Sequence, residues 1–165
     1  MKTKKILGVD IGNVIINHRL MDKENRDDWQ EKYLSSPPVD NVFDSLRILN
    51  TEIFNGNVFL VSKCREEAEQ LIKLWFKKHD FYSQTGIKPE NTYFVRERKE
   101  KDIVCRKLGI THFIDDRLEV LSHMVGSTPN LYLFQPDPLE VEEFKKFLPR
   151  VIMVDSWDEV LKKTN

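Results

Sequence analysis

The sequence predicts a three-layer α/β/α sandwich around a mostly parallel central sheet, and three observations lead there. Short apolar runs occupy 5–11, 57–62, 92–95, 111–115, 130–134 and 151–154, each of a length suited to a buried strand. The segments between them space their apolar residues helically, so strands and helices alternate as in βα crossovers. Several runs also end in polar residues at their carboxyl side, where ligands bind to parallel sheets of this Rossmann-like kind.

The elements follow in order. KILGVDI at 5–11 is a strand that runs into Gly12, and the β-branched residues 14–16 turn the chain back. Residues 17–36 are polar and irregular, with a short helix expected around Trp29 and Tyr33, and Ser35-Ser36-Pro37-Pro38 is a break. From Asp40, the residues Val42, Leu46, Leu49 and Ile53 share one helix face, and Asn55-Gly56 ends that helix. NVFLVS at 57–62 is the second strand. Ala68, Leu71, Ile72, Trp75 and Phe76 then form the stripe of a long amphipathic helix. TYFV is a third strand, and a helix over 101–108 is capped by Gly109. THFID, NLYLF and VIMV are the last three strands. Helices are expected at about 118–125, at 139–147 (stopped by Pro149) and at 157–163.

With 165 residues, the chain reads as one domain over 1–165, with 17–40 as a short insert. Hydrophobic residues make up 40% and charged residues 32%, the balance of a soluble globular protein. A formal net charge of −1 gives no global field for nucleic acid or acidic membranes. No segment has the length of a membrane span, and the N-terminal apolar run is too short for a signal peptide. Cys64 and Cys105 form no C-x-x-C pair, which favours reduced thiols over zinc or a disulfide and points to a cytoplasmic protein. Homo-oligomerisation stays open.

The strand ends carry the chemistry. The first delivers Asp10, the second Ser62 followed by Lys63, and the fourth Asp115-Asp116; the third leads into a charged run containing Lys99 and Lys101. Taken singly, each has a plain alternative as a turn residue, helix cap or solvated charge. Together they suit phosphoryl transfer. A carboxylate can attack phosphorus and hold an aspartyl-phosphate. Attack by one anion on another needs charge neutralisation, which Mg2+ held by carboxylates supplies. A Lys and a Ser would bind the remaining phosphoryl oxygens.

At these residues the sequence resembles the haloacid dehalogenase superfamily, in its capless or minimally capped phosphatase-like branch. ILGVDIGNVII is similar to that family's first motif, VFLVS to the second and HFIDDR to the acidic fourth. The resemblance covers about residues 5–135. It implies Asp10 as nucleophile and metal ligand, the Gly12 carbonyl as another ligand, Ser62 as a phosphate-binding group and Lys101 as a stabiliser of both the nucleophile and the phosphoryl group; Lys63, next to Ser62, is a further phosphate-binding candidate. It implies Lys101 as the third-motif lysine, with Lys99 as the alternative. Asp116 is expected as the direct magnesium ligand and Asp115 as the partner of Lys101 or of a metal-bound water, an assignment that could be reversed. The implied activity is hydrolysis of a phosphomonoester, with nucleotides among the substrates.

One position departs from the family. Its phosphatases usually carry a second Asp two residues after the nucleophile, which protonates the leaving group; here that position is Gly12. This motivates an alternative, a catalytically weak or inactive protein that binds phosphate in a regulatory role. His18 is a candidate substitute acid. A hydrolase of carbon–halogen or carbon–phosphorus bonds is a third reading, and the Ser, Lys and paired acids argue against it. The 17–40 insert is too short for a full cap. Its Asp27, Asp28, Trp29, Glu31 and Tyr33 are placed to touch substrate or to pack the insert down. Arg65, Arg96, Arg98 and Arg117 lie near strand ends and could equally face the site or solvent.

Overall fold

The computed structural model describes residues 3–22 and 24–165. Six strands, β1 (Leu7–Val9), β2 (Val58–Lys63), β3 (Thr92–Val95), β4 (His112–Asp115), β5 (Asn130–Phe134) and β6 (Ile152–Val154), form one sheet in the order β3-β2-β1-β4-β5-β6. Every pairing is parallel, so the sheet is fully rather than mostly parallel. The helices are α1 (Trp29–Ser35), α2 (Val42–Ile48), α3 (Glu66–Lys78), α4 (Phe81–Thr85), α5 (Glu100–Leu108), α6 (Leu118–Ser122), α7 (Pro138–Glu143) and α8 (Trp157–Thr164).

Two hydrophobic cores flank the sheet, and the period-2 alternation of the strands sorts side chains between them. Leu7, Val9, Val58 and Leu60 join residues of α1–α4 and α8 in one core. Val61 and Phe113 join residues of α5 and α6 in the other. The crossover from β3 to β4 through α5 changes face. The strand order therefore reverses between β1 and β4, and that switch point opens a crevice at their carboxyl ends.

Several elements differ from expectation. β1 stops at Val9 because Asp10 and Ile11 leave the sheet for a tight turn, in which the N–H groups of Val14, Ile15 and Ile16 all reach the Ile11 carbonyl. The helix after Asp40 widens into a π-helical turn at Leu49–Ile53. Helix α4 gave no sequence signal, being only five residues long. The segment expected as a helix over 139–147 splits into α7 and a 3-10 stretch at Lys145–Arg150 that contains Pro149. A proline lacks the N–H that a longer α-helix would need there.

Two tryptophans connect packing to the site. Trp157 is fully buried and its indole N–H donates to the Val14 carbonyl at 3.0 Å, fixing the turn after β1. Trp75, also fully buried, donates to the Ser36 carbonyl at 2.8 Å and fixes the far end of the insert. Backbone bonds from Asn17 to the Pro37 carbonyl and from Val39 to the Ile15 carbonyl, both 2.8 Å, close the insert at its base.

Gly8 allows β1 and β4 to pack this closely. A Cβ there would lie 2.5 Å from Phe113 Cδ2 and 2.9 Å from Cε2. Phe113 is fully buried and has no free space to retreat into. Gly8→Ala is therefore expected to lower unfolding stability by about 1–3 kcal/mol, the usual cost of overpacking. Urea denaturation followed by tryptophan fluorescence measures it, and an unchanged midpoint would show that the ring moves freely.

Candidate active site

The crevice at the switch point holds the acids that the sequence singled out. Asp10 directly follows β1 and Asp115 ends β4, and Val9 pairs with Ile114, so the two carboxylates are in-register neighbours. Both project to the face covered by α5, because Gly8 and Phe113, two residues earlier, already contact each other there. Helix α5 brings Lys101, in its first turn, onto the same spot. The Lys101 Nζ donates to Asp10 Oδ1 at 2.9 Å and to Asp115 Oδ2 at 2.8 Å. Exposure is 7% for Asp10, 3% for Lys101 and 0% for Asp115. The other Asp115 oxygen accepts from the Arg117 backbone N–H at 3.0 Å. Asp116 is half-buried, and oxygens of Asp10, Asp115 and Asp116 all lie within 4.8 Å of one another.

One ammonium facing three carboxylates leaves the site short of positive charge. Burial, then the Asp115 charge, pushes the Asp10 pKa up to about 6 in spite of Lys101. Burial, then Asp115 and Asp10, pushes Asp116 up to about 9. The two carboxylates hold the Lys101 ammonium well above its usual range against the cost of burying it, so it stays charged. Such a set of hard oxygen donors, strained by mutual repulsion, fits a divalent cation of the magnesium type. Asp10 and Asp116 would hold it, with Asp115 beside them already bonded through both oxygens and Gly12 lining the same crevice.

These groups form the floor of a cavity of about 560 Å³, whose walls include Ser62 and Lys63 from the end of β2. Ser62 is buried and Lys63 exposed. The ambiguity between the two lysines resolves: Lys99 is exposed and pairs with Glu97, whereas Lys101 points inward. Of the four arginines near strand ends, Arg98 and Arg117 line the cavity. Arg96 instead pairs with Glu69, and Arg65 precedes α3 in solvent.

His18 does not serve as a substitute acid. Burial pushes its pKa down to about 4, and it lies outside the walls of this cavity. Its Nδ1 meets Ser36 Oγ at 2.9 Å, and that hydroxyl also donates to the Lys32 carbonyl. On the insert, Trp29 packs edge-on against Tyr33 at 5.6 Å, while Tyr33 itself is buried and reaches the cavity wall. Gly12 lines the cavity in an ordinary backbone conformation, and a Cβ there would meet nothing within 4 Å.

Sequence reasoning missed several cavity residues. Asn13, Arg19, Cys64, Gln135, Asp137 and Glu140 all line it. A signal existed for Gln135 and Asp137, which follow the carboxyl end of the fifth strand. Arg19 gave none, because nothing in the sequence says that an arginine seven residues past Gly12 folds back over the site.

No protein-family model and no curated protein matches the chain. Solved structures do. A haloacid dehalogenase-like hydrolase from Burkholderia xenovorans aligns with a TM-score of 0.63 at 11% identity, over 97% of this chain and 96% of that one. A HAD-superfamily hydrolase from Ehrlichia chaffeensis aligns with a TM-score of 0.62 at 9% identity, over 99% and 97%. At such identities the likeness is one of fold: the chain has the haloacid dehalogenase fold.

The acid cluster makes a linked prediction. Folding raises the pKa of Asp10 and Asp116 above the ordinary 3.8, so the native state binds these protons more tightly than the unfolded one. Their contribution to stability is present below the ordinary value and is lost as pH rises through about 6 for Asp10 and about 9 for Asp116. A cation held by the ionised carboxylates competes with those protons. Mg2+ should therefore raise the melting temperature more at pH 8 than at pH 5. A Mg2+ effect independent of pH would place the cation elsewhere.

Proposed function

We propose that this chain, built on the haloacid dehalogenase fold, is a magnesium-dependent phosphomonoester hydrolase working through an aspartyl-phosphate on Asp10. The observation that carries the reading is the Asp10–Lys101–Asp115 arrangement beside Asp116, at the switch point and on the floor of a cavity.

The ammonium of Lys101 keeps Asp10 oriented and lowers the cost of its ionised form. That carboxylate attacks phosphorus while the bond from phosphorus to the ester oxygen breaks. The ester oxygen leaves with the electron pair and takes a proton from water. A second water then attacks the aspartyl-phosphate, releasing inorganic phosphate and restoring the carboxylate. Ser62 and Lys63 bind phosphoryl oxygens, where a loose transition state spreads its charge. Asp115, both of whose oxygens are engaged, positions Lys101 and leaves Asp116 as the direct ligand. Asp10, Asp116 and the Gly12 carbonyl would hold magnesium, which would supply positive charge to offset the repulsion between the two anions.

In this reading the chain is one domain, with residues 17–40 in place of a cap. Two buried free thiols, Cys64 and Cys105, support a reducing, cytoplasmic setting. Gly12 supports the second reading, a regulatory protein that binds phosphate and turns over little: no carboxyl stands at the position of the leaving-group acid, and His18 does not replace it.

Phosphate release from a panel of phosphomonoesters separates the two readings. Release that needs Mg2+ and is abolished by chelator or by Asp10→Asn is the expected result; none from any substrate would leave the binding role. The missing acid predicts selectivity as well. Para-nitrophenolate departs without a proton, so para-nitrophenyl phosphate should be cleaved faster than alkyl phosphates. A Cβ at Gly12 would meet nothing within 4 Å, and Gly12→Asp should raise alkyl phosphate turnover by about tenfold or more, since general acid help is typically worth 10²–10⁴-fold. An equal gain on the para-nitrophenyl ester would show that the new carboxyl acts in another way.

A further inference from the structure

The reacting phosphoryl group has its partners on the cavity floor and wall, in Lys101, Ser62 and the cation that the acids would hold. The cavity offers more. Its 560 Å³ or so is of the size that takes a whole small ligand. Its apolar lining comes from Tyr33, Cys64, Ile72, Val120 and Pro136, and charged and polar side chains make up the rest.

The charges at its mouth are unevenly matched. Arg98 and Arg117 share one carboxylate oxygen, Glu119 Oε2, at 2.9 and 3.5 Å. Arg19 differs from both. Its Nη2 donates to the Asn13 carbonyl at 2.8 Å and reaches the Gln135 carbonyl at 3.4 Å. Two neutral acceptors hold one end of the exposed guanidinium; among the described residues it makes no ion pair, and the Asp116 carboxylate acts on it only from a greater distance. The guanidinium keeps further N–H donors in a planar fork suited to an oxyanion. Lys63, from the end of β2, is a second cavity cation without a carboxylate partner among the described residues.

We infer that the substrate carries a second oxyanion, a phosphate or a carboxylate, apart from the phosphoryl group that reacts, and that Arg19 binds it at the cavity mouth. This inference rests on the phosphomonoester reading above. Arg19 comes from the 17–40 segment, so the insert contributes to substrate selection without forming a cap.

A matched three-carbon series tests it: glycerol 3-phosphate with one anionic group, 3-phosphoglycerate with an added carboxylate, and 2,3-bisphosphoglycerate with an added phosphate. Calorimetric titration with Mg2+ on the Asp10→Asn chain measures binding without turnover. At least one two-anion ligand should bind about tenfold more tightly than glycerol 3-phosphate, in line with a charge-assisted contact, and the preferred ligand tells carboxylate from phosphate. Adding Arg19→Gln should weaken that ligand several-fold more than glycerol 3-phosphate, and Arg19→Lys should retain part of the preference. Equal affinity for all three ligands, an equal loss on all three with Arg19→Gln, or no binding of any would each overturn the inference. Phosphate release by the unmodified chain is read separately. Release without a two-anion preference sinks the subsite and keeps the hydrolase; preference without release does the reverse.

Discussion

The ammonium of Lys101, enclosed between the carboxylates of Asp10 and Asp115, is the interaction on which the site depends. Burying each ion costs several kcal/mol of hydration, roughly, and the mutual attraction repays this only when the geometry is close. Here both contacts are below 3 Å and all three groups are nearly sealed. An apolar trio of the same volume would hold β1, β4 and α5 together at less cost. Stability alone therefore does not account for the charges, and the deficit they leave does point to a use. Asp116 adds a third acid to a floor already in excess of negative charge, and burial together with the neighbouring carboxylates raises the pKa values of Asp10 and Asp116. A cation held by these acids would complete the balance.

The fold delivers this geometry through strand parity and one glycine. Successive residues of a strand alternate faces, so once Gly8 meets Phe113 on the α5 side, the residues two further along must point there too. Those residues are Asp10 and Asp115. Their separation follows from how closely β1 and β4 pack, which the missing Cβ of Gly8 permits. The α5 crossover then changes face and carries Lys101 to the same side. Local sequence, packing and site chemistry are thus one argument, and a shift of a single residue in β1 would turn Asp10 into the other core.

This also explains what the sequence made legible. Strands buried on both faces announce themselves as apolar runs, and polar residues at their ends identify the floor: Asp10, Ser62, Asp115 and Asp116 are all where the pattern puts them. The choice between Lys99 and Lys101 needed the helix phase. A charged run gives no apolar stripe by which to set it, and burial of Cys105 one turn after Lys101 fixes the phase only once packing is known. Helix α4 was too short to show a period. Arg19 was invisible because its place depends on long-range closure, in which residues 15–17 pair with 37–39 and fold the insert's base against the turn after β1.

That closure puts the nucleophile, the open position at Gly12 and the guanidinium of Arg19 on one segment of ten residues, 10–19. Trp157 pins its middle through the Val14 carbonyl, so the three positions keep a fixed relation. A site without a leaving-group acid forgoes a proton that no guanidinium supplies, since arginine stays charged at any working pH. What a remote cation can add is of another kind. Binding energy realised away from the reacting bond can hold the ester in line for attack, lowering the barrier by position rather than by proton transfer. An acid at position 12 would widen the range of leaving groups. A cation at position 19 would, on the inference made above, narrow the range to substrates that carry the matching anion. On this segment a guanidinium stands at position 19 and no carboxyl at position 12, an arrangement that would favour selectivity over reach.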